Sequence, residues 1–174
     1  AMTEYKKQGY LPSALLNFMA LLGWNPGTEQ EIFSKDELIA SFDLAKVQKS
    51  PAVFNEEKLN WFNREYIKRM SQKDFWDHAH HGLYGSVVPD TEESHEMLKK
   101  LEPLIRERIT TFADMQTLFG RADGSEVGEF DYFFHEPVVD NKMLVWKDDT
   151  LEHARTHLAQ VRTLLEQISE TSWD

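Results

Sequence analysis

The sequence has no cysteine. Disulfides and thiolate metal sites are therefore excluded, and the chain suits a reducing cytoplasm. No apolar run approaches the ~20 residues that span a bilayer, and no signal-peptide pattern is visible, so no membrane partner is expected. Cations are scarce: 19 Lys and Arg stand against 30 Asp and Glu, a formal net charge of −11. Taken whole, that balance argues against nucleic acid. There is no Walker loop, no GxGxxG and no GxSxG, so neither nucleotide binding nor serine hydrolysis has a motif to rest on. Strand signal is thin, with Glu31–Phe33 and Leu144–Trp146 the best short segments. No repeat or low-complexity tract appears.

What is present is a globular composition of 174 residues, 41% hydrophobic and 12% aromatic, enough for one or two small domains. Ala1 ahead of Met2 reads as a cloning remnant. Together with the large apolar Trp173 at the other terminus, it suggests a piece excised from a longer protein.

The pattern is helical nearly throughout. Pro12 suits a first turn and Gly23 a left-handed residue after the last, enclosing Leu15, Leu16, Phe18, Met19, Leu21 and Leu22, apolar nearly all round. Ser34 and Glu37 form a capping box ahead of a helix over 35–42. Asn55 caps a helix reaching about Met70, with Leu59, Phe62, Tyr66, Ile67 and Met70 inward. Ser71 and Asp74 start another that stops near Gly82. Residues 91–109 place Met97, Leu101, Leu104 and Ile105 at helical spacing, and Pro103 is expected to bend or split them. A short helix over 112–119 is closed by Gly120. Residues 151–168 put Leu151, Ala154, Leu158, Val161, Leu164, Leu165 and Ile168 on one face. The expected class is mainly α and multihelical, with a boundary near Ser71–Lys73.

Charge is unevenly distributed. Lys46, Lys49, Lys58, Arg64, Lys68, Arg69 and Lys73 face only Glu56, Glu57 and Glu65 within that stretch. A local basic face on an acidic protein can still grip phosphates, because remote charges are screened beyond ~10 Å. The plainer reading is a solvated helix face. Lys58, Trp61, Arg64 and Lys68 share one side, suited to phosphate and sugar contact or to a packed Trp with solvated cations. Arg108 ends the stripe of Met97, Leu101 and Leu104. It either snorkels to cap the last carbonyls or is a guanidinium held for planar recognition. Asp77, His78, His80 and His81 crowd one helix end. With no third ligand in register they are read as a polar terminus, and no metal site is assigned.

The strings GYLPSALLNFMALLGWNPG, EIFSKDELIASFDLAKVQKSPAVFN and KLNWFNREYIKR, which fill most of residues 9–69, resemble the bacterial-type glutamyl-tRNA synthetases. LIRERITTF, FDYFF with Pro137, and KMLVWK follow in the same order. The resemblance implies a C-terminal tRNA-binding fragment with the catalytic domain absent. Residues 1–71 would be a stem-contact segment and 72–174 the first helical anticodon-binding subdomain, truncated at its end. It implies glutamate tRNA as partner, with Ser50, Pro51, Val53, Lys58, Trp61, Arg64 and Lys68 toward the tRNA inner corner and Arg108 reading the last anticodon base. Arg64 departs from the pattern, standing where glycine is common. The parent enzyme would use ATP and Mg; the fragment would hold no cofactor, be inactive alone and be a monomer. A helical protein–protein interaction module without RNA binding is the alternative, suggested by the net acidity.

Overall fold

A computed structural model describes residues 2–49, 52–83, 88–120, 127–136 and 139–168. Eight α-helices occur among them: α1 (Met2–Lys7), α2 (Pro12–Gly23), α3 (Lys35–Ser41), α4 (Glu56–Arg69), α5 (Gln72–Leu83), α6 (Glu92–Arg108), α7 (Met115–Phe119) and α8 (Leu151–Glu166). No strand is present among the described residues, only the isolated bridges Trp24–Val47 and Gly120–Val127. The mainly α expectation therefore holds, and the two strand expectations do not. Glu31–Phe33 is extended but pinned by side chains, the Phe33 amide donating to Asn17 Oδ1 at 2.8 Å. Leu144 closes a 3₁₀ turn over Asn141–Leu144.

The helix starts follow their caps. Ser34 Oγ accepts the Glu37 amide and Glu37 accepts the Ser34 amide, completing the capping box. Asn55 Oδ1 accepts from the Lys58 amide at 3.0 Å, and Thr91 Oγ1 from the Ser94 amide at 3.2 Å. Pro103 does not break α6, which runs unbroken with the proline on its exposed side. Gly23 is the last residue of α2 and not left-handed; the positive φ angles belong to Gly9, Gly27 and Gly120 among the described glycines.

By packing, the chain parts into two units, Ala1–His135 and Glu136–Asp174. The core of the first unit runs across the 71/72 boundary expected from the sequence. That core joins Leu11, Ala14 and Ile67 to Phe75, Ala79, Leu83, Leu98, Leu101, Ile105, Ile109 and Phe119. A second cluster, Tyr10, Leu15, Phe18, Leu59 and Phe62, fills the α2–α4 contact. The all-round burial expected of α2 is corrected by Leu16 and Met19, both about half exposed. The second unit contains α8, where Ala154 is buried while Leu158, Val161, Leu164, Leu165 and Ile168 are open.

Two buried polar devices join the helices of the first unit. Asn63 accepts the Leu11 amide at 2.8 Å and donates to Thr110 O at 2.6 Å, tying α4 to the start of α2 and the end of α6. Arg106 caps α4 from outside it, donating to Ile67 O at 2.5 Å, Met70 O at 3.1 Å and Ser71 O at 3.3 Å.

Candidate nucleic-acid interface

The basic surface is built on α4. Its inner side, Leu59, Phe62, Asn63 and Ile67, is buried. The 3.6-residue period therefore turns Arg64 and Lys68 outward, where both are exposed. Neither forms an ion pair with a carboxylate among the described residues. Arg69 and Lys73 are less available: Arg69 pairs with Glu65 at 3.1 Å and Lys73 with Asp77 at 2.5 Å. Lys73 holds the Asp77 carboxyl below its usual range, and the pair raises the Lys73 ammonium in turn.

Lys58 and Trp61 form a joined pair at the N-terminal end of this face. The Lys58 ammonium sits 4.3 Å above the Trp61 ring and 2.5 Å from Glu31. Trp61 is half-buried, its edge against Phe62 at 5.0 Å between centroids. Both partners of the Lys58–Glu31 bridge are about half exposed, so the bridge contributes only about 0–1 kcal/mol. A phosphate can compete for Lys58 at little cost. Val53 is 84% exposed on the segment leading into α4. Ser50 and Pro51 lie outside the described residues.

Arg108 does not lie where the stripe predicts. The buried side of α6 is Leu98, Leu101, Glu102 and Ile105, and Leu104 is open. Arg108 therefore belongs to the exposed flank. Its head does not cap α6 either: Nη1 donates to Glu129 Oε2 at 3.2 Å, and the guanidinium lies 5.4 Å from the Phe130 ring centre. Arg108 and Glu129 line a pocket of about 350 Å³ with Asp114, Thr117 and Leu118. The residue that sequence reasoning passed over is its neighbour Arg106. The available signal was the Glu102–Arg106 spacing of four, set between the core positions Leu101 and Ile105.

The described side chains of the Asp77–His81 group do not assemble a ligand set. His78 stacks on Phe112 at 5.3 Å and donates from Nδ1 to Asp74 O, while the His81 side chain lies outside the description. No group of three or more His, Asp or Glu among the described residues could hold a metal ion. With no glycine-rich phosphate loop in the sequence either, the described residues do not fit ATP and Mg. No described helix is long and apolar enough to cross a membrane.

The family described as "tRNA synthetases class I (E and Q), catalytic domain" matches residues 1–61. A glutamate–tRNA ligase of Clostridium botulinum (strain Eklund 17B / Type B) is 35% identical over 173 residues, covering 97% of this chain and 32% of that protein. One of Clostridium novyi (strain NT) is 43% identical over 112 residues, covering 64% and 23%. Among solved structures, a glutamate tRNA ligase from Elizabethkingia meningosepticum CCUG26117, in complex with its amino acid, matches with a TM-score of 0.60. It is 30% identical, over 91% of this chain and 34% of that one. The glutamate-tRNA synthetase of Elizabethkingia anophelis matches with the same TM-score at 28% identity, over 90% and 32%. The chain spans about a third of the length of these relatives.

Proposed function

Because the chain is homologous to glutamate–tRNA ligases over nearly its whole length, we propose that it is the RNA-gripping portion of such an enzyme. The parent joins glutamate to its tRNA in the cytoplasm at the expense of ATP. This portion recognises the tRNA inner corner and anticodon and is inactive alone. The observation that carries the reading is the outer side of α4, where Arg64 and Lys68 stand exposed and engage no carboxylate among the described residues of an acid-rich chain. A rigid helix presenting cations one turn apart suits successive phosphates, with Lys58 and Trp61 extending the face toward Val53. Ser50 and Pro51 belong to the same segment by sequence. Arg108 supplies a second contact, a guanidinium at the mouth of a pocket for a base.

Filter binding of the 174-residue chain to a glutamate tRNA transcript at low salt tests the proposal. Binding should weaken steeply with salt, and Lys58→Ala should lower the salt slope by about 1. Arg108→Ala should weaken binding with little change in slope. Undiminished binding by both variants would remove the residue assignment.

The open apolar face of α8 favours a second reading, a protein-interaction module. A stable protein partner in pull-downs, with no tRNA binding at any salt, would select it.

A further inference from the structure

Resting on the RNA-binding reading, we infer that Arg106 is a positioning residue for the basic face of α4. It takes the carbonyls at the end of that helix and so leaves Lys68 free for a phosphate.

The end of an α-helix leaves its last carbonyls without intrahelical donors. A left-handed glycine is one common solution, and a Lys or Arg of the last turn folded back onto the carbonyls is another. α4 has no glycine at its end: Met70 follows it in extended backbone, with φ −60° and ψ 146°. Its last turn does carry two cations, Lys68 and Arg69. Left alone, both are drawn to those carbonyls and to the negative end of the helix dipole. A cation engaged in that way is a poor phosphate ligand.

The donors come from another helix instead. Arg106 reaches across from α6 and donates from Nη1 to Ile67 O at 2.5 Å and Met70 O at 3.1 Å, and from Nη2 to Ser71 O at 3.3 Å. Its head is fixed in this pose. Glu102 Oε1 accepts its Nε and Nη2 at 2.9 and 2.8 Å, and the guanidinium lies 4.3 Å from the Phe75 ring centre. A planar fork with five donors can serve the carboxylate and the carbonyls together. The Arg106 side chain is 12% exposed, so it is itself unavailable to a phosphate.

The two cations of the last turn are then disposed differently. Arg69 turns back along α4 to Glu65 at 3.1 Å. Lys68 stays exposed one turn beyond Arg64, without a carboxylate or carbonyl partner among the described residues. Arg106 thus acts on RNA through Lys68 without touching RNA.

The test is the salt dependence of binding between the 174-residue chain and a glutamate tRNA transcript, whose slope counts the phosphates neutralised. Arg106→Ala is destabilising, so the double variant Arg106→Met with Glu102→Leu, which leaves no lone buried charge, is measured beside it. Circular dichroism gives the folded fraction of each. In either background Lys68 should fold onto the vacated carbonyls, and the slope should fall by about 1, the loss of one phosphate contact. Lys68→Ala should lower the slope by about 1 in the otherwise native chain and add nothing in the Arg106 variants. Arg64→Ala, a turn away from the capped end, should lower it by about 1 in all backgrounds. A merely structural Arg106 would change only the folded fraction, shifting the apparent Kd alike at every salt and leaving the slope untouched. An unchanged slope in the Arg106 variants, or a Lys68→Ala effect that survives in them, would overturn the inference and leave RNA binding standing. A native chain that does not bind the transcript would overturn both.

Discussion

Removing Arg106 should strongly destabilise the first unit. Arg106 and Glu102 are only 12% and 10% exposed, and their contact is two-pronged, Nε and Nη2 donating to Oε1 at 2.9 and 2.8 Å. Glu102 Oε2 also accepts from Gln72 Nε2 at 2.9 Å and Trp76 Nε1 at 2.7 Å, so α5 is tied to α6 through the same carboxylate. The guanidinium lies 4.3 Å from the Phe75 ring centre. In Arg106→Ala the Glu102 charge stays buried without its cation, and the end of α4 loses the donor to Ile67 O, Met70 O and Ser71 O. Breaking one side of a buried pair costs about 3–5 kcal/mol. At about 3 °C per kcal/mol, the melting temperature should fall by about 10 °C or more. Far-UV circular dichroism during heating, with urea titration at 25 °C, measures it. Arg106→Lys should fall between, keeping charge but not the planar fork. The double variant Arg106→Met with Glu102→Leu should cost clearly less than the sum of its singles, because no lone charge remains. A loss under about 1 kcal/mol for Arg106→Ala, or full additivity in the double variant, would refute the reasoning.

Other outcomes follow from the same packing. Asn63→Leu leaves the Leu11 amide and Thr110 carbonyl unpaired and should cost about 2–4 kcal/mol, and Asn63→Asp, which sets a buried carboxylate against the Thr110 carbonyl, should cost at least as much at pH 7; urea midpoints decide. Gly128→Ala drives a Cβ into the α7 terminus, 2.4 Å from Leu118 O, and should cost about 1–3 kcal/mol by thermal melting. The Tyr66 hydroxyl donates to Asn17 Oδ1 and Phe33 O, and burial, with a smaller push from Glu37, raises its pKa to about 12. A folded pKa above the unfolded value of about 10 means that its stabilisation is full below pH 10 and lost as pH rises through 12. Wild-type stability should therefore decline over that window, and Tyr66→Phe should decline less, while costing about 1–2 kcal/mol at pH 7.

The helix starts were legible because caps are local. Ser34 with Glu37, Asn55 and Thr91 each bond within their own first turn, so three or four residues decide the outcome. The two strand expectations failed for the opposite reason. Glu31–Phe33 carries extended-favouring residues, but whether it pairs depends on a neighbour far along the chain, and that neighbour is the Asn17 and Tyr66 side chains. In α6 the periodicity was right and the phase was off: burial centres on Leu98, Leu101 and Ile105, which leaves Leu104 and Arg108 outside. A heptad-like stripe cannot distinguish two faces about one residue apart when both are apolar. Arg106 went unread because an i,i+4 pair looks the same in sequence whether buried or exposed. The pairing of Arg108 with Glu129, 21 positions away, is set by the Gly128 contact with α7, which no local pattern announces.

The central claim is that this chain meets RNA through α4 and the Arg108 pocket. Hydroxyl-radical and nuclease footprinting of a glutamate tRNA transcript, saturated with the chain at low salt, tests it most directly. The account predicts protection at the inner corner and the anticodon, with the anticodon protection lost in Arg108→Ala. Protection confined to the acceptor end, or none at any concentration that saturates binding, would contradict it.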